Sequence, residues 1–97
     1  MYRQGDLLLI REERGLDALY EPTVVASRIV QEGEATGHAH RLEGGGDVYN
    51  QGTYVTSDGT ATLVHDEHDT IELPEGTYRV LRQREYQEDG GWANVWD

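Results

Sequence analysis

The sequence predicts an all-β fold, a small barrel or β-roll in which residues 1–97 form a single domain. Three observations carry that expectation. Apolar and polar residues alternate at the two-residue period of a strand in segment after segment. Turn-forming residues recur roughly every eight to twelve positions. No segment holds a sustained stripe of apolar residues at i, i+3, i+4 and i+7. Ninety-seven residues suffice for one core and not for two. So short a chain gains from closing its sheet edges, which favours a barrel or roll.

The elements follow in order. "DLLLIRE", Asp6 to Glu12, is a short apolar run suited to a buried strand. "GLDALYEPT" reads as a loop or one helical turn, closed by Pro22. "VVASRIVQEG" is rich in β-branched residues and reads as a strand that stops at Gly33. "ATGHAHRLE" alternates cleanly until "GGGD" breaks it. "DVYNQGTYVTSDGTATLVHD" reads as strand, turn at Asn50–Gly52, strand, a tight hairpin turn at Asp58–Gly59, and strand. A short strand in "TIELP", a turn at Pro74–Gly76 and a long strand from Thr77 to Tyr86 come next. "WANVWD" reads as a last strand or a tail packed through Trp92 and Trp96.

Composition narrows the function classes. The chain has no cysteine, so it has no disulfide framework, thiolate metal site or cysteine nucleophile. Its longest N-terminal apolar run, Leu7 to Ile10, fits neither a signal peptide nor a membrane span, and a cytoplasmic, soluble protein is the expectation. A modest hydrophobic fraction of 36% points to a small core and a homo-oligomer that buries more. Nineteen acidic residues against eight basic ones give a net charge of -11, which argues against long nucleic acids as partners. A small-molecule or short anionic ligand remains compatible, because Arg79, Arg82 and Arg84 are clustered.

The four histidines stand in two tight pairs, His38 with His40 and His65 with His68. On a strand, residues i and i+2 share a face, so Thr36, His38, His40 and Leu42 point together. The face ends on Leu42 and is expected to look inward. Ala61, Leu63 and His65 form a second core-facing row, with His65 at its end. His68 lies in the turn beyond, among Asp66, Glu67 and Asp69, each a source of a carboxylate ligand or a hydrogen-bond acceptor. Neutral imidazole is the commonest metal ligand. The pattern therefore predicts a divalent-metal site (Zn, Fe, Mn or Ni) on His38, His40 and His65, with His68 or a nearby carboxylate as fourth ligand. A single HxH on an exposed strand is often mere surface; two pairs, one of them inward, weigh towards a functional cluster.

"GEATGHAH" followed by "LPEGTYRV" resembles a miniature cupin, whose first motif carries HxH on a strand and whose second opens with a PxG turn. The likeness implies a cupin-like barrel. It departs in the glycine-to-HxH spacing, in the position of Glu43, and in His65 and His68 preceding Pro74–Gly76 rather than following it. No strict cupin metal set maps onto the chain. Over nearly its full length the sequence is similar to a group of small bacterial proteins without assigned activity. They share "QGDxLL", "GExTGHAHR", "HxEH" and "LPxGxYRVxRQREY", here beginning at Gln4, Gly33, His65 and Leu73.

"TYRVLRQREY" sets Tyr78, Val80, Arg82, Arg84 and Tyr86 on one strand face. Two guanidinium groups there can grip a phosphate or carboxylate, although pairing with the protein's own carboxylates is the commoner use. The glycines of "EGGGD" are not a phosphate loop, because no helix follows. Neither Ser27 nor Ser57 has the context of an activated nucleophile. Three functions stay open. One is a metal-dependent enzyme or binder acting on a small molecule. The second is a metal-independent hydrolase of the phosphodiesterase or ribonuclease kind. In it His38 and His40 act as general base and acid, and Arg82 and Arg84 hold the phosphoryl group of a short or cyclic oligonucleotide. The third is a noncatalytic binding or assembly module.

Overall fold

The computed structural model describes residues 1–19, 21–32 and 38–82. Arg84 and the segment carrying Trp92 and Trp96 lie outside the described residues, as do residues 33–37. The fold is all-β. Strands β1 (Tyr2–Gln4), β2 (Leu7–Arg11), β3 (Ile29–Glu32), β4 (Ala39–Glu43), β5 (Val48–Tyr49), β6 (Tyr54–Ser57), β7 (Ala61–Val64), β8 (Ile71–Leu73) and β9 (Gly76–Arg82) follow in chain order. A single 3-10 turn, Gly15–Ala18, occupies the predicted helical turn, and a second spans Asn50–Gly52.

The strands form two antiparallel sheets, one ordered β1-β2-β9-β6-β5 and the other β3-β4-β7-β8. Among the described residues the sheets stay separate, so the architecture is a small sandwich or roll and not a closed barrel. Alternation along each strand turns one apolar row inward. Leu7, Leu9, Val48, Val55 and Tyr78 come from the five-stranded sheet. They meet Val30, Leu42, Ala61, Leu63 and Leu73 from the other. The expected inward rows of β4 and β7 are both found, with Leu42 and Leu63 fully buried.

Two expectations about the backbone are corrected. The Asp58–Gly59 turn does not close a hairpin. β6 pairs with β5 and β9, whereas β7 pairs with β4 and β8, so this turn carries the chain from one sheet to the other. The Pro74–Gly76 turn makes the same crossing between β8 and β9. Nor is "VVASRIVQEG" one strand. Val24 makes a single bridge to Tyr49, and Arg28 then takes the left-handed conformation at φ 63°. Its guanidinium explains the break: Nε donates to Leu42 O, and the two terminal nitrogens donate to Gly46 O and Gly44 O, all at 2.9 Å. Three bonds from one side chain fasten the triple-glycine turn. That turn admits no side chain, because a Cβ on Gly44 would strike Thr60 O and one on Gly46 would strike Thr56 O. "GGG" is thus a tightly packed corner between the sheets.

Candidate functional site

All four histidines converge. β4 delivers His38 just before its start and His40 within it; His65 follows the end of β7, and His68 sits in the turn towards β8. His40 and His65 have ring centroids 4.4 Å apart, His65 and His68 4.6 Å, His38 and His65 5.8 Å, and His40 and His68 6.2 Å. Two strand ends that are paired neighbours in one sheet bring them together, through the register Arg41↔Val64. The i, i+2 rule placed His40 beside Leu42 on the inner face, and His65 at the end of the row from Ala61 and Leu63.

Beneath the rings lies a buried polar network. His40 is 3% exposed, Gln4 2%, Gln31 5% and Asp6 7%. Its geometry fixes protons. The Gln4 amide nitrogen donates to Leu63 O at 2.9 Å and to Asp69 O at 2.8 Å, so the orientation of that amide is set by two carbonyls. Gln4 Oε1 therefore faces His40 Nδ1, 2.9 Å away, and an amide oxygen there requires the ring proton on Nδ1. His40 Nε2 is left turned towards Asp6 Oδ1 at 3.4 Å. That is longer than a charge-assisted hydrogen bond of about 2.7–2.9 Å. Asp6 Oδ2 accepts from Gln31 Nε2 at 3.3 Å.

The exposed side of the cluster is built differently. Glu67 N–H donates to His65 Nδ1 at 3.0 Å, which puts the proton of neutral His65 on Nε2. His38 Nδ1 is 3.0 Å from Glu67 Oε1, close enough for an ion pair but off the line of a hydrogen bond. Among the described residues no three His, Asp or Glu groups already stand in ligating geometry.

Other sequence-predicted residues fall elsewhere. Arg82 ends β9, exposed and in register with Leu7, and lines a cleft together with Val30 and Gln31. Arg84 lies outside the described residues. Glu67 was among the carboxylates expected near His68. Gln4 and Asp6 stand in the "QGDxLL" motif but are not among the predicted site residues, and Gln31 carried no signal of its own. Gly5 and Asp6 make the two-residue turn between β1 and β2, where exposure is the rule, and only coverage by the second sheet buries Asp6.

Residues 3–83 match a family model described as a domain of unknown function, DUF8820. The matched span contains Gln4, Asp6, Gln31, all four histidines and Arg82. No curated protein and no solved structure matches the chain.

Proposed function

We propose that this chain, which belongs to the DUF8820 family of domains of unknown function, holds one divalent cation (Zn, Fe, Mn or Ni) in its histidine cluster. The cation would act there on a small molecule. The observation that carries this reading is the orientation of the His40 ring on β4. His40 is held from behind through Nδ1 by Gln4, with Nε2 turned to Asp6. An acceptor behind one nitrogen, with the other turned to the metal, is the common arrangement around ligating histidines.

One distance supports it. Ligand atoms about 2.0–2.2 Å from one tetrahedral ion lie about 3.4 Å from each other. His40 Nε2 and Asp6 Oδ1 have that separation. Two imidazoles on such an ion have centroids about 5 Å apart; His40 and His68 stand stacked at 6.2 Å, so uptake must draw them together. His38, His40, Asp6 and His68 form the favoured ligand set. His65 joins only if its ring turns away from Glu67 N–H, because a nitrogen that accepts a hydrogen bond leaves its partner protonated. Uptake entails turning at least one imidazole. A bound cation supplies a Lewis acid and lowers the pKa of a coordinated water.

The test is direct. Metal-free protein titrated with Zn, Mn, Ni or Fe(II) should take up about one ion per chain and melt higher, by about 2.7 kcal/mol of added stability at a hundredfold excess over Kd. His38→Ala and His40→Ala should each abolish both effects. No uptake and no melting shift with any of the four metals refutes the proposal.

One observation favours the metal-independent alternative. His40 carries a proton on Nδ1 and has the Asp6 carboxylate at its Nε2, while neutral His65 carries its proton on Nε2, so a carboxylate-backed imidazole stands beside a donor. Turnover of a short or cyclic oligonucleotide that survives chelator, with a bell-shaped pH–rate profile, would select that reading.

A further inference from the structure

Beside the Gln31–Asp6 pair, the space between β3 and the end of β9 opens into two adjoining clefts of about 360 and 440 Å³. Both are walled by Val30, Gln31, Gln51 and Arg82. Such volumes lie at the lower end of the range for small-molecule sites. Three features of the wall have no account in the fold.

Gln31 is buried, yet its Oε1 has no hydrogen-bond partner. The amide cannot simply turn over, because its nitrogen donates to the Asp6 carboxylate and an oxygen there would face like charge. Its carbonyl is thus a fixed acceptor awaiting a donor. Gln51 holds left-handed backbone at φ 58°, ψ 38° without being glycine. Its neighbour Asn50, at φ 51°, has a structural reason, since its Oδ1 accepts from Thr23 N–H at 2.8 Å. Among the described residues no side-chain hydrogen bond of Gln51 gives one, and unexplained strain of this kind concentrates at binding sites. Arg82 is exposed and makes no ion pair among the described residues, although the chain carries nineteen carboxylates.

We infer that this cleft binds a small molecule bearing an oxyanion, phosphate or carboxylate, next to an N–H or O–H donor. Arg82 takes the oxyanion as a two-pronged donor. Gln31 Oε1, sealed from solvent behind the wall, takes the ligand's donor once the ligand has entered, and Gln51 is held in its strained conformation beside it. Because Gln31 Nε2 also holds Asp6, the ligand seats one residue away from the His40–Asp6 pair. The site does not depend on the cation, and its test excludes one.

The experiment is an amide and side-chain NMR titration of the full chain in EDTA. The probes are glycerol 1-phosphate, lactate and propionate. The first two carry an oxyanion beside a hydroxyl; propionate lacks the hydroxyl. Saturable shifts should appear at the Gln31 side-chain amide, Gln51 and the Arg82 Nε–H. The stronger of the first two probes identifies the anion class. Arg82→Ala, a surface change, should weaken binding about tenfold or more. The preference for lactate over propionate should disappear in Gln31→Leu. Gln51→Gly should keep or raise the melting temperature while weakening binding, since glycine adopts φ 58° without strain. No saturable shift by about 10 mM of any probe, or an Arg82→Ala titration equal to the native one, overturns the inference. Metal uptake measured separately would be untouched by either result.

Discussion

Between the sheets, the stretch around Leu9, Val55, Leu63 and Tyr78 is filled by apolar side chains, whereas the end beside the β1–β2 turn buries Gln4, Asp6, Gln31 and His40. Both regions are buried, and they are held by different physics. The apolar stretch is held by volume and contact, which tolerate approximate shape. The polar end is held by direction: each donor must meet an acceptor, and the proton on His40 follows from the two carbonyls that grip Gln4. A chain with only 36% hydrophobic residues has few to place inside, yet at this one end it commits four interior positions to polar groups. Apolar residues there would serve stability at least as well, so the difference points to use.

The largest test of that contrast is a pair of substitutions. Leu63→Ala should destabilise by about 2–5 kcal/mol, read by urea unfolding, and no second truncation should rescue it. Gln4→Leu should cost about 1–3 kcal/mol for each buried group left unpaired, among them His40 Nδ1–H and the carbonyl of Leu63. Adding His40→Leu should return part of that loss, because one orphaned donor is removed, while abolishing cation uptake. A double variant as unstable as the sum of its parts would mean that the polar end is structural.

A smaller effect is expected within the apolar region, where Tyr78 keeps one polar atom. Its hydroxyl donates to Pro74 O at 2.7 Å, and Tyr78→Phe should lose about 0.5–1.5 kcal/mol. Burial raises the phenol above its ordinary value of 10.0, with Tyr2 adding to the shift. A raised value means that the neutral phenol is favoured in the folded chain. Its contribution is full below pH 10 and is lost as pH climbs through the folded value. Alkaline melting curves should therefore be flatter in Tyr78→Phe.

The smallest effect belongs to the surface. The Asp58 carboxylate accepts from the Thr60 hydroxyl and the Thr60 N–H, and both bonds hold it below its ordinary 3.8. A lowered value gives a contribution that is present above pH 3.8 and lost as pH falls towards the folded value. Asp58→Asn should slightly flatten the acid limb of the melting temperature against pH, and a steeper limb would contradict this.

These contrasts also mark what the sequence could tell. The inward faces of β4 and β7 were legible because a period of two leaves no choice once Leu42 and Leu63 are placed inside. The meeting of the two histidine pairs was legible as an expectation for the same reason. Sheet membership was not: Asp58–Gly59 has hairpin chemistry but crosses between sheets, a choice made by partners far along the chain. Arg28 could not be read as a strand breaker, since its left-handed backbone depends on carbonyls at Leu42, Gly44 and Gly46. Gln4 precedes a two-residue turn and Asp6 lies within it, where no periodicity reports burial.

The placement of β9 has a kinetic consequence. It lies between β2 and β6, so the last described strand joins the first part of the chain to the middle. A chain emerging from the ribosome holds β2 with one edge unpaired until Gly76–Arg82 has been made. Pairings such as Leu7↔Arg82 span most of the sequence. High contact order of this kind slows folding to on the order of milliseconds to seconds. Meanwhile the apolar run Leu7–Ile10 stands exposed as a template for aggregation. The acidic surplus then has work to do before any ligand arrives: mutual repulsion keeps unfinished chains apart while they wait for their closing strand.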